Sequence, residues 1–135
     1  YTDALKKYSD TTSVIFLEEI LHGDKLKTAR RLFTKKIITS LPDVIITSND
    51  LIAQGIISAA HENGINIPND MQITGFDDSL SSAYFIPSIT TVSQNIDELA
   101  KRCFSMLMDL INKKNAVSSI IEQNIIARNS AKVNI

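Results

Sequence analysis

Three short apolar runs rich in β-branched residues, Ser13-Val14-Ile15-Phe16-Leu17, Val44-Ile45-Ile46-Thr47 and Met71-Gln72-Ile73-Thr74, alternate along the chain with two stretches of helical periodicity. Continuous apolar runs of this length suit strands buried on both faces. A strand-helix-strand-helix-strand order with short links leads to an α/β fold, a right-handed parallel sheet with helices on both faces. In the first helical stretch, residues 25–40, Leu26, Ala29, Leu32, Phe33 and Ile37 recur at spacings of three and four, with six Lys and Arg residues largely between them. Such cations can face a nucleic acid, but long basic side chains over the solvated side of a packing helix are the commoner arrangement. The second stretch, residues 50–63, opens with the capping residues Ser48-Asn49-Asp50 and closes at Gly64. Its apolar residues cover more than one face, which fits either a helix sandwiched within the core or a subunit interface.

The third run ends abruptly in Gly75-Phe76-Asp77-Asp78. Carboxyl ends of parallel strands are where open α/β sheets place their ligands. Beyond this turn come a Ser-rich loop, the strand-like Ile89-Thr90-Thr91-Val92 and a helix expected over about residues 96–112, with Asn95 and Glu98 as a capping pair. A final extended segment is expected over residues 119–127. The 135 residues, 44% hydrophobic and 21% charged, are enough for one core of ordinary size. Tyr1, Ala4, Leu5 and Tyr8 are spaced like one face of a helix already under way, and there is no initiator Met, so the chain is expected to be a piece of a longer protein.

A net charge of −1 with interspersed signs offers no general attraction for nucleic acid or an anionic membrane. No apolar run approaches the length of a membrane span, and a single cysteine fits a reducing compartment, so the expected location is the cytoplasm. Catalysis finds little support: His22 and His61 are far apart in sequence, no nucleophile elbow surrounds a serine, and Cys103 sits on the apolar stripe of the last helix, where a small core residue is expected. No cysteine pair or His-x-x-x-His offers a metal site, and four glycines build neither a phosphate loop nor a dinucleotide fingerprint. No metal and no cofactor is expected.

Two polar clusters remain, Ser48-Asn49-Asp50 and Asp77-Asp78, both at carboxyl ends of strands. Asn49 and Asp77 can converge on one ligand; equally, Asn49 can merely cap its helix while the two acids make an Asx-turn. An amide that donates and accepts beside a carboxylate that accepts from two hydroxyls suits a polyhydroxy ligand better than an anion. Phosphoryl acceptance at a strand-end acid, as in response-regulator receivers, is a third use, for which the receiver-type acidic pair after a first strand and a well-placed lysine are lacking.

Four segments in order, residues 42–55, Gly64-Ile65-Asn66-Ile67-Pro68-Asn69-Asp70, Gly75-Phe76-Asp77-Asp78 and Pro87-Ser88-Ile89-Thr90-Thr91-Val92, resemble the LacI/GalR family of transcriptional regulators, and Arg128-Asn129-Ser130 is similar to that family's closing Arg-x-Ser tail. The resemblance covers nearly the whole chain. It implies one lobe of a periplasmic binding protein-like (type I) fold. It also implies an effector, commonly a sugar or a nucleobase-like molecule and here expected to be a sugar or sugar derivative, held in an interlobe cleft by Asn49 and Asp77, with Asp78 shaping the loop. Gln54 on the 50–63 helix, Tyr84 and Phe85 are implied at a homodimer interface. The turn Glu18-Glu19-Ile20 lacks the aromatic platform often found there. Operator DNA would be reached only through an amino-terminal domain absent from these residues, and residues 1–135 would form part of the effector domain. The helix at 96–112 would then pack on the other lobe. The implied function is allosteric control of transcription, usually repression, without enzymatic activity. A sugar-binding component of a transport system is the alternative.

Overall fold

The computed structural model describes residues 23–132. The expected strand at 13–17, the helical face before it and the 18–20 turn lie outside the described residues.

Helix α1 (Lys25–Leu32) starts at Asp24, whose carboxylate accepts from the Lys27 amide at 3.1 Å. The same rod continues as a π-helical turn, Phe33–Ile37, marked by the Ile38 amide reaching back to the Phe33 carbonyl. The stretch expected as one helix is therefore two helical forms in sequence. Ala29, Leu32 and Phe33 are buried, as the periodicity predicts. Among the intervening cations, Arg30 turns back on the next helix, contacting Ser58 and both oxygens of Glu62, at 2.7 Å each for the carboxylate.

Strand β1 (Val44–Ile46) pairs in parallel with β2 (Gln72–Thr74), in the register Val44 to Gln72, Ile45 to Ile73 and Ile46 to Thr74. Between them runs α2 (Asp50–Glu62), capped by Asn49 and followed by Gly64 at φ +73°. That left-handed turn is open to glycine at no steric cost. After β2 come α3 (Leu80–Tyr84), β3 (Thr91–Ser93), α4 (Ile96–Ile111) and β4 (Asn124–Ile126). On its second edge β2 meets the segment before β3 through a parallel bridge, Thr74 to Thr90, and the closing segment through the Ile73 amide, which donates to the Ser130 carbonyl at 2.9 Å. The sheet is thus parallel at its centre. It ends in an antiparallel β3–β4 pair, with strand structure in the final extended segment only over its last part.

The core is built on α2, whose Ile52, Ala53, Ile56, Ile57, Ala59 and Ala60 are all buried, together with Phe33, Met71, Ile73 and Ile89. Of the two expectations for this helix, the sandwich holds. Gly55 lets α1 approach so closely that a Cβ there would lie 2.7 Å from the Leu26 carbonyl oxygen and 2.9 Å from Ala29 Cβ. Most of the apolar surface of α2 is thereby buried inside the chain, with Leu51 left 45% exposed.

Three expectations are corrected. Among the described residues strand β1 is covered on one face only: Ile45 packs on the core, whereas Val44 and Ile46, which alternate to the other side, are 46% and 53% exposed. Asn95 and Glu98 do not form a capping box. Asn95 adopts a left-handed backbone at φ 52° and makes no side-chain bond to the first turn, and Glu98 pairs with Arg102 at 2.9 Å. Cys103 is exposed rather than core. The reason is that α4 has no buried residue: its apolar stripe, with Phe104 66% exposed, covers nothing among the described residues.

Candidate functional site

The parallel pairing of β1 and β2 brings their carboxyl ends to one edge. Asn49 and Asp77 each stand three residues beyond the last paired position of their strand. The edge is tied by the Thr47 amide and Thr47 Oγ1, which donate to the Thr74 carbonyl at 3.0 and 2.9 Å.

Asn49 has an extended backbone and caps α2, its Oδ1 accepting from the Ile52 amide at 3.0 Å. Its amide nitrogen has no acceptor among the described residues. Capping and ligand contact therefore do not compete: the cap uses the oxygen and leaves a donor at the edge.

Asp77 is exposed, with φ at 108°. Few side-chain-bearing residues occupy that region, and strain of this kind gathers at functional sites. The Asp77 amide donates to the Val92 carbonyl at 3.0 Å, and Oδ1 accepts from Gln94 Nε2 at 2.5 Å. Asp78 differs. Its Oδ1 meets Arg128 Nη2 at 2.6 Å with both side chains largely buried, and Arg128 also donates to the Ile89 carbonyl at 2.9 Å. Asp78 is thus committed to the loop, while Asp77 presents its carboxylate outward.

Two further participants carry no motif in the sequence. Gln94 touches Asp77 from the start of the crossover toward α4. Asp50, read only as part of a cap, is a 1% exposed carboxylate beneath the edge. Its Oδ1 accepts from Thr91 Oγ1 at 2.6 Å, and its Oδ2 from the Ser79 amide and Ser82 Oγ at 2.7 Å each. A serine-rich loop with no assigned role, next to an acid opening an otherwise apolar helix, was the available signal.

The residues implied at a dimer interface fall elsewhere. Gln54 is 7% exposed and donates to Ser81 Oγ at 2.7 Å, holding α3 against α2. Phe85 packs partly on the core, and Tyr84 is 79% exposed. Near them Ile57, Ser58, His61, Glu62, Phe85 and Ile86 line an open depression of about 370 Å³. It lies toward the carboxyl end of α2, a helix length away from the Asn49–Asp77 edge. Among the described residues no helix is long and apolar enough to cross a membrane, and no group of three His, Cys, Asp or Glu is placed to share a metal ion.

The family model of the periplasmic binding protein-like domain matches residues 8–131. The chain belongs to the periplasmic binding protein-like family. Within that family it is similar to LacI-type regulators, as its four motifs anticipate. It is 34% identical over 95 residues to the HTH-type transcriptional repressor PurR of Pasteurella multocida, a match spanning 69% of this chain and 28% of that protein. The solved structure of a periplasmic binding ribose operon repressor protein from Lactobacillus acidophilus superposes with a TM-score of 0.78 at 28% identity, covering 98% of this chain and 48% of the other. A periplasmic binding protein/LacI transcriptional regulator from Alkaliphilus metalliredigens QYMF, complexed with D-xylulofuranose, gives a TM-score of 0.71 at 30% identity over 83% of this chain and 43% of its own. The chain thus spans about a quarter of the length of the PurR relative and under half of these two structures.

Proposed function

We propose that this chain is the effector-sensing and dimerisation part of a LacI-type transcriptional regulator, a repressor that works in the cytoplasm and has no enzymatic activity. The observation that carries the reading is the placement of Asn49 and Asp77 on one sheet edge, with an amide donor and a carboxylate facing outward, in a chain similar to regulators along nearly its whole length. The effector is a small sugar or sugar derivative. Asp77 accepts from its hydroxyls, Asn49 Nδ2 donates to one of them, and Gln94 yields or shares its hydrogen bond to Asp77. Support for a sugar comes from the names of two relatives, which carry ribose and D-xylulofuranose, both five-carbon sugars.

In this reading the rest of the cleft comes from a second lobe outside the described residues, and the unburied stripe of α4 packs on that lobe. Tyr84, Phe85 and the exposed end of α2 meet the other copy of a homodimer, where Gln54 acts by holding α3 in place. Operator DNA is contacted by a separate amino-terminal domain. The effector acts by population shift: contacts differing between two lobe arrangements favour one of them and alter the spacing of the DNA-binding heads. In the full-length protein, Asp77→Ala should abolish the effector response of operator binding while leaving operator affinity intact. Unchanged induction by that variant would remove the site assignment.

A further inference from the structure

We propose that Asp50 is the positioning residue of the effector edge, its buried carboxylate fixing Asn49 and Asp77 relative to one another through Ser79, Ser82 and Thr91. The inference rests on the reading of Asn49 and Asp77 as effector contacts. Burying a carboxylate is costly unless its oxygens are hydrogen-bonded, and Asp50 is 1% exposed with no cation bonded to it among the described residues. Helix α2 does not need it as a cap, since Asn49 already supplies that bond at 3.0 Å. All three bonds instead leave the helix. One reaches the Ser79 amide in the loop just beyond Asp77, one reaches Ser82 Oγ on α3, and one reaches Thr91 on the strand beside them. The Asp50 amide adds a fourth tie, donating at 2.8 Å to the carbonyl of Phe76, the residue immediately before Asp77. Asn49 is its covalent neighbour on the other side. A single residue therefore connects the segments that carry both proposed contact residues, its carboxylate bonding the stretch after Asp77 and the strand beside it, and the positive end of α2 favours its charge there.

Gly75 fits this role. A Cβ at that position would run into the Asp50 carboxylate and lie 3.2 Å from Ile89 Cγ2. The carboxylate, held by three donors, has nowhere to move.

The test is amide hydrogen exchange on the full-length protein without effector. Asp50→Ala should speed exchange about tenfold or more at two amides, Ile52 and Asp77, as expected when charge-assisted hydrogen bonds are lost from a local opening equilibrium. Thr47 and Ile73, bonded within the sheet, should stay unchanged. Asp50→Asn should hold the Ile52 and Asp77 rates within about threefold of the parent, because one amide oxygen can take Ser79 and Ser82 while the amide nitrogen donates to Thr91 Oγ1. If Asp50→Ala does not fold, Thr91→Val combined with Ser82→Ala should give the same localised pattern with a smaller increase. Unchanged rates at Ile52 and Asp77, a rise shared equally by Thr47 and Ile73, or an Asp50→Asn protein as labile as Asp50→Ala would each overturn the inference. No effector enters the measurement, so its failure is separable from a failure of the Asp77→Ala induction test.

Discussion

Arg128 Nη2 lies 2.6 Å from Asp78 Oδ1, joining the closing segment of the chain to the loop that carries Asp77. The two side chains are 18% and 25% exposed, so the pair is neither a solvated surface bridge nor fully desolvated. Arg128→Gln should lower stability by about 1–3 kcal/mol in urea unfolding of the full-length protein, since it leaves Asp78 without its charged donor. A double-mutant cycle with Asp78→Asn should recover part of that loss. Additive effects would show that the pair is not coupled.

Gly55→Ala decides between two opposed effects. In an exposed helix interior the change favours folding by about 1 kcal/mol. Here the added Cβ would press on the Leu26 carbonyl oxygen at 2.7 Å and on Ala29 at 2.9 Å, both belonging to a packed neighbouring helix. Overpacking of this kind costs about 1–3 kcal/mol, so the net effect should be destabilising. A higher melting temperature for this variant would mean that α1 yields freely.

Asp77→Gly separates fold from function. The φ of 108° is strained for aspartate and open to glycine, whose greater unfolded-state entropy offsets part of the relief. Stability should change by no more than about 1 kcal/mol in either direction while the effector response disappears. Thermal unfolding and an operator-release assay on the same preparation distinguish the two readouts.

Phe104→Glu probes the stripe of α4. Phe104 is 66% exposed among the described residues, so nothing in this lobe resists the substitution. If the stripe packs on a second lobe, the full-length protein should lose at least about 2 kcal/mol, the scale of burying one large apolar side chain. A full-length melting curve unaffected by the change would leave α4 a solvated helix.

The parts of this structure set by short-range chemistry were legible from residues alone. The periods of three and four placed α1 and α2, Asn49 and Gly64 marked the limits of α2, and the β-branched runs marked β1 and β2. What escaped was set by partners distant in sequence. Asp50 meets Ser79, Ser82 and Thr91 at separations of 29, 32 and 41 residues, and no local pattern distinguishes such an acid from an ordinary first-turn carboxylate. Gln94 carries no motif, and its link to Asp77 exists only because β3 lies beside the loop. The Asn95 and Glu98 spacing imitates a capping box, yet the left-handed backbone at Asn95 forbids it. For α4 the stripe itself was readable. The surface it faces was not, which is why Cys103 was expected in a core.

Ser130 is fully buried between β2 and the segment before β3: its hydroxyl donates to the Ile73 carbonyl at 2.6 Å and accepts from the Thr90 amide at 2.8 Å. The central strand therefore completes its pairing with a residue 57 positions later in the chain. Contacts of such long range are slow to form because loop closure precedes any gain from them. During synthesis, β1, α2 and β2 emerge well before Ser130 and must wait with one strand edge open, a period in which they are exposed to association with other chains.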